Sequence, residues 1–351
     1  MTATSSDTRR AAVLGALVAD AAALGLHWLY DQDRARELGG VSPEFLATSA
    51  SDFEGFPAYF AHPKKRVGDC SQYGEQAMVM LQSLAATGGQ YQKADYEDRF
   101  RAVFGYGGDY IGYIDHPTRD TLDNLAHAEA NALATAKALP FTGSANDQHT
   151  LITKVMANVK QASGGDVHTA VEAAVRRTHD DPDMLAYARQ LTDALLSISG
   201  FSGADDEQLP AVAKLPPLIA VGGEAGDIDE QVESAVRVTN HNDLAVEAGQ
   251  TYKVLLQHAI ESRDLAASFR AALDASGARF KPLLESVQSR LADSSLDVIR
   301  DIGMSCQLVY GMPGSAHVLM TTRSFSEAVR LNVLAGGDSC GRAMIIGAVA
   351  G

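Results

Sequence analysis

The chain has 351 residues, 46% of them hydrophobic and 21% charged, and a formal charge of -15 from 29 basic and 44 acidic side chains. That composition excludes a disordered or fibrous chain, and the acidic balance argues against nucleic acid or an anionic membrane as partner. Cys70, Cys306 and Cys340 lack metal-type spacing, and no run reaches the ~20 apolar residues of a membrane span, so a reducing, cytoplasmic setting is expected without disulfides or structural zinc.

Helical periodicity recurs from end to end, whereas strand alternation with paired turn signals is scarce, which predicts an all-α fold. No repeat or linker divides the sequence, so residues 1–351 are expected to form a single domain. A first helix is expected from Asp7 or Thr8 to about Trp28, apolar nearly all round and therefore central, with Asp20 inside it in need of a partner. Residues 39–69, with Pro43, Pro57 and Pro63, read as loop, and a second helix starts near Tyr73.

The Gly- and Tyr-rich segment 105–117 fits neither period and reads as a binding loop or a turn cluster. Further helices between Thr118 and Gln257 are expected to break at Pro140, at 163–165, at Asp181-Pro182 and across 200–226. Ser324-Phe-Ser-Glu327 is a capping box opening a helix to about Ala335. Gly336 and Gly337 then supply positive φ values, and Asp338 is placed to cap a last helix. In that helix Met344, Gly347, Ala348 and Gly351 form a thin face for close packing.

Glu75 and Asp338 share one local design: small residues before, an apolar helix after. Such carboxylates are either first-turn acids, favoured there electrostatically, or oxygen ligands for a hard cation. His27 reads as a general base or a buried hydrogen-bonded histidine. Asp20 is a buried polar partner or a ligand-orienting group; Asp115 and His116 line a site or form a turn; Asp147 and Gln148 hold a ligand or cap a helix. Arg342 is placed to meet a phosphate or Asp338. Cys340, with His317 or His241, could be a thiol nucleophile or a small buried residue.

Three motifs, in order, resemble the ADP-ribosylglycohydrolase family, including its dinitrogenase-reductase-activating members. The family's Gly-Asp-Ala-Leu-Gly helix is similar to Ala19-Asp-Ala-Ala-Ala-Leu-Gly-Leu-His-Trp28. Its Thr-Asp-Asp-Thr motif is similar to Tyr73-Gly-Glu-Gln-Ala-Met78. Its closing Gly-Gly-Asp-Thr-Asp-Thr is similar to Gly336-Gly-Asp-Ser-Cys-Gly341, and 143–148 and 239–243 resemble two interior segments. The His-Trp pair and the Tyr-Gly-Glu-Gln motif look most like the branch of J-crystallins and selenoprotein J.

The resemblance implies a single-domain orthogonal helical bundle. It also implies hydrolysis, or at least binding, of an ADP-ribosyl or related ribosyl glycosidic substrate between the Glu75 and Asp338 helix starts. The ligand would be a small nucleotide-sugar or an ADP-ribosylated molecule. Glu75, Asp338 and His27 would be catalytic, and Asp20, Tyr73, Gln76, Asp115, His116, Asp147, Gln148, Ser339 and Arg342 would bind substrate. Family members hold two magnesium ions. Here Tyr73, Gly74, Gln76, Cys340 and Gly341 replace most ligands, leaving Glu75 and Asp338 for at most one weakly held magnesium. Because the branch includes structural members, a non-catalytic crystallin-like or ligand-binding protein is the alternative.

Overall fold

The structure, a computed structural model, describes residues 5–161, 167–178, 181–197, 203–222 and 227–351. The described residues are all-α, with only isolated bridges in place of a sheet. They form two compact units: residues 1–119 with 204–351, and residues 120–203.

The first unit holds α1 (Ser5–Ala23), α2 (Gln32–Gly39), α3 (Gln72–Ala86) and α4 (Lys93–Phe104). Helix α5 (His116–Ala138) starts in it and continues into the second unit, which also holds α6 (Ala145–Gln161), α7 (Val167–Arg176) and α8 (Pro182–Ser197). The chain returns to the first unit with α9 (Pro210–Ala213), α10 (Leu215–Val221), α11 (Ile228–Thr239), α12 (Asp243–Ser262), α13 (Leu265–Ala275) and α14 (Lys281–Ser289). It closes with α15 (Ser295–Ile302), α16 (Leu308–Thr321), α17 (Phe325–Leu334) and α18 (Ser339–Ala350).

Helices α1 and α18 are the most extensively packed pair in the first unit. Their small residues explain it: a Cβ placed on Gly347 would fall 2.2 Å from the Gly15 carbonyl oxygen, so only glycine permits this approach. Helix α18 is buried from Ser339 to Ala348, as its composition predicts. Helix α1 differs from expectation. It ends at Ala23, where a single 3-10 turn (Leu24–Leu26) brings the chain to His27, and Leu14 and Val18 are exposed, so one face meets solvent.

The break expected across 200–226 is only partial: α9 and α10 form inside it, aided by Pro210, Pro216 and Pro217 in their first turns, where a missing N–H costs nothing. The break at Pro182 becomes the start of α8, and the break at 163–165 lies outside the described residues. The second unit has its own core of Leu151, Val155, Val171, Val175, Ala188 and Leu191.

Candidate functional site

The site is built on the Gly336-Gly337 turn. Both glycines have positive φ (73° and 64°), and between them they turn the chain from α17 into α18. The turn is locked to the end of the first motif: Trp28 N–H donates to the Gly337 carbonyl at 2.8 Å, and Gly337 N–H donates to the Leu29 carbonyl at 2.7 Å. Trp28 itself adopts the left-handed region (φ 61°), uncommon for a bulky side chain. Asp338 N–H then donates to the Met304 carbonyl, which fixes the aspartate at the N-cap of α18.

Every oxygen of Asp338 is engaged. Oδ1 lies 3.0 Å from His27 Nε2 and accepts from Gly341 N–H at 3.0 Å; Oδ2 accepts from the Tyr73 hydroxyl at 2.6 Å. Asp338 is fully buried, and His27 and Tyr73 are 1% exposed. Burial pushes the Asp338 carboxyl up, but the bonds from His27, Tyr73 and Gly341 outweigh it and hold the group below the usual carboxylate range. The same burial, beside that carboxylate, pushes the Tyr73 phenol well above its ordinary value.

The network continues outward. His27 Nδ1 lies 2.7 Å from Nε2 of His62, whose ring stacks on it. Burial, then the neighbouring His27 and Lys65, push His62 down to about 2, so it is a neutral imidazole. His62 lies in the loop stretch between the prolines, where no periodicity marks it, and reading the sequence missed it. Ser71 was missed as well: its N–H and hydroxyl both bond the buried Asp20 carboxylate, at 2.8 and 2.5 Å. Burial raises Asp20 to about 6 against those bonds. Gly74 follows from this arrangement, because a Cβ there would lie 2.4 Å from Asp20 Oδ2.

The remaining candidates lie outside this network. Glu75 sits in the first turn of α3 with its carboxylate paired to Lys65 at 2.9 Å, and no described hydrogen bond joins it to Asp338 or His27. Gln76 is buried and donates to Thr118 Oγ1 at 3.1 Å and to Asp115 at 3.4 Å. Asp115 accepts from Thr118 N–H, and burial lifts it to about 6. His116, the first residue of α5, is exposed. Asp147 and Gln148 belong to the second unit: Asp147 bonds Ser144 at the start of α6, and Gln148 donates to the Tyr187 hydroxyl.

Ser339 is buried, with its hydroxyl directed to the Ala23 carbonyl at 3.4 Å. Arg342 is buried too, and its guanidinium turns to Asn332 and the Gly336 carbonyl instead of Asp338, bracing the glycine turn. Burial lowers it to about 10, against the nearby Asp338.

The thiol reading fails on environment. Cys340 is buried, its S–H directed to the Asp20 carbonyl, and its thiol is pushed well above the ordinary value by burial. Cys306 donates to Gln208, and burial raises it to about 12. His317 is committed to Ser295 and the Arg290 carbonyl.

The donor set does not fit a pair of magnesium ions. Both Asp338 oxygens already accept from protein donors, Cys340 and Gly341 offer no side-chain oxygen, and Glu75 faces a lysine. Among the described residues no group of three or more His, Cys, Asp or Glu is arranged to hold a metal.

Comparison with known proteins places the whole chain in one family. Residues 1–351 match the ADP-ribosylglycohydrolase family model, and the chain belongs to that family. Crystallin J1A of Tripedalia cystophora is 27% identical over 97% of this chain and 86% of its own length; crystallin J1B of the same animal is 25% identical over the same shares. A solved ADP-ribosylglycohydrolase-related protein complex aligns over 99% of this chain and 87% of its own, with a TM-score of 0.48 and 17% identity.

Proposed function

We propose that this member of the ADP-ribosylglycohydrolase family keeps the fold but not the two-metal hydrolytic centre, and serves as a non-catalytic structural or ligand-binding protein. The observation that carries this reading is the complete engagement of Asp338 by His27, Tyr73 and Gly341. A general base must reach the proton it abstracts, and a carboxylate that accepts three protein donors while fully buried is closed to water and substrate alike. The likeness to two crystallins along nearly the entire chain supports the same reading.

The test is turnover by the purified full chain of ADP-ribosyl-arginine, ADP-ribosyl-serine and simple nucleosides, with magnesium or manganese. The expected result is no product above background. Turnover that disappears in Asp338→Asn would overturn the proposal.

A second reading retains hydrolysis of an ADP-ribosyl or related ribosyl bond without metal. It is favoured by one feature: the hydrogen bonds run from Asp338 through His27 to His62, a residue on a cavity wall. In that reading His62 takes a proton from water at Nδ1 as its Nε2 proton passes to His27 Nδ1, while Asp338 holds the His27 imidazole in place. Metal-independent turnover abolished by both His27→Gln and His62→Gln would establish it.

A further inference from the structure

A groove of about 460 Å³ runs between residues 59–64 and 112–119, lined by Tyr59, Phe60, Tyr113, Ile114, Lys64 and Arg119, among others. None of its lining side chains is acidic, in a chain with 44 acidic against 29 basic residues. Lys64 and Arg119 are both exposed, and neither has an ion-pair partner among the described residues; Arg119 donates to the Ile114 carbonyl at 3.2 Å. The next residue along, Lys65, is by contrast paired with Glu75.

The floor of the groove is aromatic and in reach of solvent. Tyr59 is 56% exposed, although its ring meets Trp28 at a centroid distance of 5.8 Å and Tyr113 at 5.9 Å. Trp28 and Tyr113 pack edge to face at 4.7 Å, and the Tyr59 N–H donates to the Trp28 carbonyl at 3.0 Å, so the platform is held in place before anything binds. Ile111, beside the lining Gly112, is 62% exposed. Large apolar side chains left in water along a concave wall mark an interaction surface.

We infer that this groove docks a short acidic peptide segment of a partner protein, with an aromatic side chain laid on Tyr59 and Tyr113 and flanking carboxylates held by Lys64 and Arg119. Charge chooses the occupant. Two cations match the carboxylates of a short segment, and the guanidinium fork suits them. A phosphate backbone or an anionic membrane would meet the acidic surface around the groove as well, and the charge of -15 sets a second copy of the chain against the first. The site goes beyond the non-catalytic reading above and does not depend on it, since none of its contacts involves Asp338 or turnover.

Trp28 is the sole tryptophan of the chain and touches both tyrosines, so its emission reports on this groove. The full chain is titrated with a short synthetic peptide that carries one phenylalanine between aspartates. One control peptide has alanine for the phenylalanine, another has lysines for the aspartates, and vesicles containing anionic lipid are a third probe. A saturable change in emission is expected with the first peptide, weakening as salt is added, with each control peptide weaker by about tenfold or more and the vesicles without effect. Lys64→Gln combined with Arg119→Gln changes exposed side chains only, and is expected to weaken the first peptide about tenfold and flatten its salt dependence. Tyr59→Ala is expected to weaken it by a similar factor, read by calorimetry. No saturable change, equal affinity for either control peptide, unchanged affinity in the double variant, or a response to vesicles in place of the peptide would each overturn the inference.

Discussion

The Tyr73 hydroxyl donates to Asp338 Oδ2 at 2.6 Å across 265 residues of sequence, tying the first turn of α3 to the N-cap of α18. Tyr73→Phe leaves that oxygen buried and short of one donor, which costs about 1–3 kcal/mol. Urea unfolding of the variant checks the loss. A double-mutant cycle with Asp338→Asn is expected to show non-additivity, because the two side chains share one network.

Two buried carboxyls set the acid side of the stability profile. Asp20 and Asp115 sit near 6 when folded against 3.8 when unfolded, so the folded state binds more protons in that window. Their contribution is present in full below about 3.8 and is lost as the pH rises through about 6. Asp338, whose folded value is depressed, acts in the opposite sense: its contribution is present above 3.8 and is lost as the pH falls through its folded value. Asp115→Asn is therefore expected to flatten the decline between about 3.8 and 6, measured as urea midpoints against pH.

Lys214 acts on the alkaline side. It is fully buried and donates to the Pro210 carbonyl at 3.2 Å and to Thr239 Oγ1, and burial pulls it from 10.5 to about 7 against the nearby Asp115 and Asp206. Between those values the unfolded chain binds the extra proton, so Lys214 makes stability rise with pH across that interval. Lys214→Met removes the charge and keeps the length, and the rise is expected to disappear from the same midpoint series.

The contact between α1 and α18 predicts a steric result. Gly347→Ala drives a methyl to 2.2 Å from the Gly15 carbonyl oxygen, and backbone must shift to relieve it. The expected cost is about 1–3 kcal/mol or more, read as a lowered Tm. Alanine at Gly40, which would meet no heavy atom within 4 Å and has a positive φ of 52°, separates backbone strain from steric collision.

The all-α class and the role of the closing turn were legible because they depend on local signals: helical period, paired glycines and an aspartate before a small-residue helix. Asp338 was found for the same reason. The partners that decide its chemistry were not legible. His62 lies in an irregular proline-containing stretch, Tyr73 reads in sequence as a replaced metal ligand and a substrate contact instead of a donor to Asp338, and Asn332 is an ordinary residue of α17 until Arg342 folds back to it. Glu75 and Asp338 look equivalent by local design, yet a lysine from the preceding loop takes Glu75. Long-range hydrogen bonding separates the two carboxylates, and no periodicity encodes it.

We propose that protein donors leave Asp338 no oxygen free for a magnesium ion. Calorimetric titration of magnesium into the full chain, alone and with ADP-ribose present, tests it most directly. No saturable magnesium binding is expected in either titration, and no change in Tm with the ion. Saturable magnesium binding that is lost in Asp338→Asn would contradict it.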